Sequence, residues 1–119
     1  MDAKSLGSWG ERVAADYLGS RGYEIIEMNY RTRHGEVDII AQDLNFLVFA
    51  EVKLRKNDRF AKAREFVTTA KRERIKTCAL IWLSENEAVR QPRFDVIEIY
   101  APGGSGGGYE INHIENAFE

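Results

Sequence analysis

The sequence predicts an α/β fold, a sandwich of helices around a mixed sheet, on three observations. Leu6, Trp9, Val13, Tyr17 and Leu18 recur at helical spacing near the N-terminus. Phe46-Leu47-Val48-Phe49-Ala50 is an unbroken apolar run, as a strand covered on both faces requires. Strand-like segments lie on both sides of a second apolar helix ending near Leu83, giving the order helix, three strands, helix, strand, with a small extra strand.

The first helix covers Leu6 to Leu18, and Gly19 and Gly22 supply its C-terminal stop. Tyr23 to Tyr30 reads as a strand. Glu36 to Ala41 reads as the next, with Val37 and Ile39 on one face and Glu36, Asp38 and Ile40 on the other. Asp43-Leu44-Asn45 is a turn, which makes a hairpin of the second and third strands. The third strand, Phe46 to Leu54, is central in the sheet. Residues 55–66 are basic and mixed, a loop running into a helix. Thr68 or Thr69 caps the helix that follows. Its C-terminal half (Ile75, Cys78, Ala79, Leu80, Ile81, Trp82, Leu83) requires wide burial, while Lys71-Arg72-Glu73-Arg74 projects from the core. Arg93 to Tyr100 is a strand by alternation. Residues 102–108 are too rich in glycine for regular structure and lack the strand-then-helix context of a phosphate cradle, so they form a flexible loop. Tyr109 to Ile114 is a short last strand, and Asn116 to Glu119 is a tail or a single helical turn.

At 119 residues the chain is one domain, 1–119. Its 44% hydrophobic content and 11% aromatic content exclude wholesale disorder. No apolar run approaches the ~20 residues of a membrane span, and no basic-then-apolar leader begins the chain. Cys78 is the only cysteine, which excludes an internal disulfide and a multi-cysteine zinc site and fits a reducing, cytoplasmic setting. His34 and His113 lack partners at zinc-ligand spacing. Cys78, Trp9 and Trp82 read as core. The net charge is only −2, but residues 53–93 hold 12 of the 17 Lys and Arg and only five of the 19 acids. A basic segment in an otherwise acidic chain is either a footprint for phosphates or a solvated helix face.

Asp38, Glu51 and Lys53 carry the clearest chemical signal. The hairpin sets Asp38 beside Glu51, and Lys53 shares a strand face with Glu51. A strand as apolar as Phe46–Ala50 should not continue into charged residues without cause, because an unpaired buried carboxylate is costly. Three arrangements account for them: an exposed strand end, a structural ion pair, or a divalent-cation site. In the last, Mg²⁺ takes one or two carboxylates, keeps several waters and accepts a substrate phosphate. It lowers the pKa of a bound water, and a neighbouring lysine orients that water and stabilises developing charge. Glu11, in the first helix, is either an exposed helix residue or a further ligand or base. Glu36 is either a partner for Lys53 or an edge residue.

Gly10-Glu11-x-x-Ala14, Asn29-Tyr30-Arg31, Gly35-Glu36-Val37-Asp38-Ile39-Ile40-Ala41, Glu51-Val52-Lys53-x-Arg55, Lys71-x-x-Arg74-Ile75 and Arg93-Phe94-Asp95-Val96 together resemble the motif series of the YraN-like family of bacterial proteins. The resemblance runs from about Leu6 to Phe118. Ala50 stands where that family often has Val, and the glycines at 103–108 look like a local insertion. The family in turn is similar to the restriction-endonuclease-like, PD-(D/E)xK nucleases and to archaeal Holliday junction resolvases. The resemblance implies their three-layer core and a Mg²⁺- or Mn²⁺-dependent DNA endonuclease, acting on branched DNA such as a Holliday junction or flap in repair or recombination. It implies metal ligation by Asp38 and Glu51, with Glu11 as a further ligand or base, and Lys53 as the residue that orients water. Arg31, Arg33 and His34 on one side of that centre, and Arg55, Lys56, Arg59, Lys62, Arg64, Lys71 and Arg74 on the other, are the candidates for contacting the DNA backbone. Two symmetric cuts in a four-way junction would call for a homodimer. A noncatalytic nucleic-acid-binding protein on the same fold is the alternative.

Overall fold

Asp2 starts the first helix, α1 (Ala3–Ser20), by accepting a hydrogen bond from the Ser5 amide at 2.8 Å. The computed structural model describes residues 2–56 and 67–119; Arg59, Lys62, Arg64 and the loop-to-helix expectation for 57–66 lie outside the described residues. After α1 come β1 (Glu24–Thr32), β2 (Gly35–Gln42), β3 (Phe46–Arg55), α2 (Thr69–Glu85), β4 (Gln91–Tyr100) and β5 (Glu110–Phe118). The five strands form one sheet in sequence order. β3 and β4 run parallel and the other neighbours antiparallel, because α2 carries the chain back between β3 and β4. The expected α/β order and the central place of β3 are therefore present. Among the described residues no helix is long and apolar enough to cross a membrane.

Each face of the sheet buries one helix. Under α1, Ala14 and Leu18 pack on Ile39, Ala41, Val48, Ala50, Ile97 and Ile99. Gly10 is also buried on this side, and a Cβ there would already touch Leu54 at 3.7 Å, so α1 lies close against the strands. Under α2, Ile75, Cys78, Ala79 and Trp82 pack on Val37, Ile40, Leu47, Phe49 and Val96. Thr68 caps α2 through its Oγ1, which accepts from the Lys71 amide at 3.2 Å. Asp43 closes the β2–β3 turn by accepting from the Asn45 and Phe46 amides.

Four expectations are corrected. Val37 and Ile39 do not share a face: Val37 packs under α2 with Ile40, and Ile39 under α1. The alternation fails at Asp38, which lies level with Asn29, a residue in the left-handed region at φ 54 between the Met28–Ile39 and Tyr30–Val37 pairs. Leu80 is 68% exposed, since the helical period carries it to the outer face of α2 despite its apolar neighbours. β4 does not alternate between core and solvent: both its faces are covered, and Arg93, Asp95 and Glu98 are buried in it. Finally, β5 continues through Asn116 to Phe118. Asn116 takes φ 53 at a register shift, and Phe118 is drawn into the core against Phe94, ring centroids 5.2 Å apart.

The β1–β2 turn depends on Gly35. Its φ of +145° is one that side chains rarely adopt, and a Cβ would stand 3.3 Å from the Cβ of Arg74 on α2. Gly35→Ala is expected to cost about 1–3 kcal/mol, the usual range for a strained backbone, read as a lower denaturant midpoint at unchanged slope.

Candidate metal and nucleic-acid site

β2 and β3 pair from Gln42–Leu47 to Ile39–Ala50. Beyond that point Asp38 Oδ2 accepts the Val52 amide at 2.8 Å, a side chain standing in for the strand partner. Glu51 lies level with this break. Asp38 and Glu51 are 7% and 5% exposed, so the two acids are buried side by side. Burial, then the Glu51 charge, push the Asp38 carboxyl up to about 8, the Val52 amide opposing them and Glu11 adding to them from α1. Of the three arrangements the sequence allowed, the exposed strand end is thus excluded.

Two lysines meet Glu51. Lys71, from the first turn of α2, places Nζ 2.5 Å from Glu51 Oε1, and Lys53 Nζ stands 3.7 Å from the same oxygen. Burial and the adjacent Lys71 charge lower the pKa of Lys53. For Lys71, burial acts downward but the hydrogen bond to Glu51 outweighs it, and its pKa is raised. The expectation that the basic end of α2 projects from the core fails at Lys71, which turns back to the sheet because a buried carboxylate awaits it there.

Asp38 has a pH signature. Its carboxyl titrates higher folded than its ordinary 3.8, so the folded chain holds this proton more tightly than the unfolded chain does. Stability must then fall as pH rises from about 4 through about 8 and level off above. In EDTA, thermal melts across this range are expected to show that decline, and Asp38→Asn to flatten it.

The candidate phosphate contacts divide into groups. Arg31 pairs with Glu36 at 2.9 Å on the surface, so Glu36 is an edge residue bound to Arg31 rather than a partner of Lys53. Arg33 donates to His34 at 3.2 Å in the β1–β2 turn, and Arg74 packs over Gly35 in that same turn. Arg74 stands one helical turn from Lys71, so this corner carries a basic rim beside Asp38 and Glu51. Arg55 is directed inward, its Nε 3.3 Å from Glu98 Oε2. Lys56 is exposed beside Leu6 and the 102–106 segment, which forms a short 3₁₀ turn at Gly104–Gly106.

Glu98 was not anticipated. It is fully buried directly across from Lys53 in the β3–β4 ladder, and its Oε1 has no hydrogen-bond partner among the described residues. Its position two residues after Val96 places it on the α2 face, a signal the sequence did contain. A second unanticipated group lies on the opposite face of the sheet. Asp95 accepts from Arg93 Nε and NH2, both at 2.8 Å, and from the Asn116 amide at 3.0 Å. His113 Nε2 lies 2.7 Å from the same carboxylate, and Tyr17 binds the other ring nitrogen at 3.0 Å. Arg93 also donates to Tyr23 at 2.7 Å. His113 is therefore tied to Asp95 and Tyr17. A groove of about 730 Å³ opens beside this network between Phe46, Pro92, Phe94 and Phe118, away from the paired carboxylates.

The donor set at Asp38 and Glu51 fits a hard divalent cation. Two buried carboxylates that repel one another, with ammonium groups already drawn to one of them, form a site that positive charge relieves. Among the described residues no three His, Cys, Asp or Glu side chains close into a preformed cage.

Residues 10–99 match the family described as Uncharacterised protein family UPF0102. The chain is 45% identical over 113 residues to a UPF0102 protein of Thermodesulfovibrio yellowstonii, covering 95% of each. It is 40% identical over 116 residues to a UPF0102 protein of Syntrophomonas wolfei, covering 97% of this chain and 98% of the relative. With a UPF0102 protein of Clostridioides difficile it shares 43% over 119 residues, 99% and 100% of the two chains.

Proposed function

The chain belongs to the UPF0102 family, and from the site it carries we propose a metal-dependent DNA endonuclease that hydrolyses phosphodiester bonds, with branched DNA as its substrate. The observation that carries this reading is the buried pair Asp38 and Glu51 with Lys53 at 3.7 Å and Lys71 at 2.5 Å from one Glu51 oxygen. A fold that needed only stability would be better served by apolar residues there. The element order and the motif series both resemble those of the restriction-endonuclease-like nucleases, which supports the same conclusion.

Asp38 and Glu51 would hold the cation, Mg²⁺ or Mn²⁺. When bound, the cation supplies Lewis acidity at the phosphorus and a more acidic water. Lys53 orients the attacking water and stabilises the charge that develops as the P–O bond breaks. Glu11, whose negative charge is felt at Asp38 from α1, would be the further ligand or base. Arg33, Arg74 and Lys71 line the path of the DNA backbone, contacts that read shape and phosphate rather than base sequence. Two symmetric cuts across a four-way junction need a second copy of the chain. A noncatalytic DNA-binding module would account for the ion pairs of Glu51 with Lys53 and Lys71, but not for Asp38 buried beside it.

The test is cleavage of labelled four-way junction, flap, single-stranded and duplex DNA with Mg²⁺, Mn²⁺ or EDTA, beside Asp38→Ala and Glu51→Ala. Metal-dependent cutting absent from both variants supports the enzyme and names its substrate. A folded protein that binds DNA and cuts none of these substrates with either metal overturns it.

A further inference from the structure

Glu51 and Asp38 are neutralised unequally. Glu51 already has a cation, Lys71, on Oε1. Asp38 has the Val52 amide. Lys71 sits where a lysine is electrostatically unwelcome: the first turn of α2 has positive partial charge and contains no acidic residue. Its ammonium also shares Glu51 Oε1 with that of Lys53, which stands 3.7 Å from the same oxygen. One buried carboxylate thus holds together three positive elements that would otherwise repel.

We propose that Lys71 is a resident counter-cation at Glu51, displaced when a divalent metal ion takes that carboxylate, and that the released ammonium then receives a DNA phosphate beside Lys53. This rests on the metal-dependent reading above. Once Glu51 turns to a metal ion, Lys71, Lys53 and the end of α2 face one another with less anionic charge between them. A phosphodiester oxygen is the anion that restores the balance. Metal and DNA therefore bind cooperatively: without DNA, Lys71 competes with the metal, and with DNA it has another partner. The coupling is reciprocal, so metal must strengthen DNA binding by the same factor.

Lys71→Met removes the ammonium and keeps the stem, and Lys71→Gln keeps a hydrogen-bond donor; Thr68 still caps α2 in both. In calorimetric titrations with Mn²⁺ alone, both variants are expected to bind at least about fivefold more tightly than the wild type, the lower end of ordinary site coupling. With a fluorescent four-way junction and Ca²⁺, the wild type is expected to gain DNA affinity on adding metal, and the variants to lose that gain. Their salt slope is expected to fall by about one, the contribution of one phosphate contact. Lys71→Arg, which keeps the charge, should behave as the wild type. If the wild type binds Mn²⁺ and the uncharged variants bind it no more tightly, the exchange is overturned and the nuclease reading stands. If the wild type binds no Mn²⁺, both fall.

Discussion

Asp38→Asn is expected to abolish metal-dependent cleavage and at the same time to raise the melting temperature of the metal-free protein. The two effects share one cause. The Asp38 carboxylate is 7% exposed, lies beside Glu51 and feels Glu11 as well. An asparagine keeps the shape, and its Oδ1 can still accept the Val52 amide. It removes a charge that burial and two neighbours disfavour. Glu51 keeps Lys71, so nothing new is left unpaired. If Asp38 and Glu51 hold the cation as proposed, the variant lacks one of its carboxylates, and cleavage should fall by at least about 10³-fold, the scale of losing one group that acts on transition-state charge. The melting temperature should rise by a few degrees above pH 8, where the wild-type carboxyl is ionised, and little near pH 4. A merely structural Asp38 would give the opposite sign, a loss of stability with its removal. Lys53→Ala separates the roles further: Mn²⁺ affinity persists and cutting is lost.

Asp95→Ala is expected to cause the largest loss of stability of any single change considered. Asp95 is fully buried and accepts from Arg93 twice, from His113 and from the Asn116 amide. Removing it strands the Arg93 guanidinium, 8% exposed, in the protein interior. Breaking a buried pair in this way costs about 3–5 kcal/mol, and for a domain of this size that lowers the melting temperature by roughly 10–20 °C. The pH dependence has the reverse sign to that at Asp38. Burial acts upward on the Asp95 carboxyl, but the His113 and Arg93 bonds outweigh it and its pKa is lowered below 3.8. Its contribution is present above that value and is lost as the solution is acidified through the folded pKa. Thermal melts at pH 7 and pH 3 check both: the gap between wild type and variant should narrow at the lower pH.

The hairpin of Asp38 and Glu51 was legible because five apolar residues, a turn and two acids are all local signals. The cap of α2, which Thr68 takes, was legible as Thr68 or Thr69. The contact between Lys71 and Glu51 was not, since no sequence period specifies which way a lysine on a first helical turn bends. The face assigned to Val37 failed because Asn29, on the neighbouring strand, carries the irregularity, and alternation counted along β2 alone contains no trace of it. The Arg93–Asp95–His113 network was missed for a related reason. Its members come from β4 and β5, with Tyr17 from α1 and Tyr23 just before β1, and only the folded sheet brings them together.

The sheet also partitions its buried charge. On the α1 face the ionised groups are matched and tie the N-terminal helix to the last two strands. On the α2 face two acids are held together against their mutual repulsion. The chain thus keeps its disfavoured buried charge and its matched buried charge on opposite sides of one layer of backbone. Evolution or engineering can then adjust them separately. Stabilising substitutions on the α1 side are then expected to leave the proposed cleavage untouched, while those around Glu51 are expected to trade it against stability.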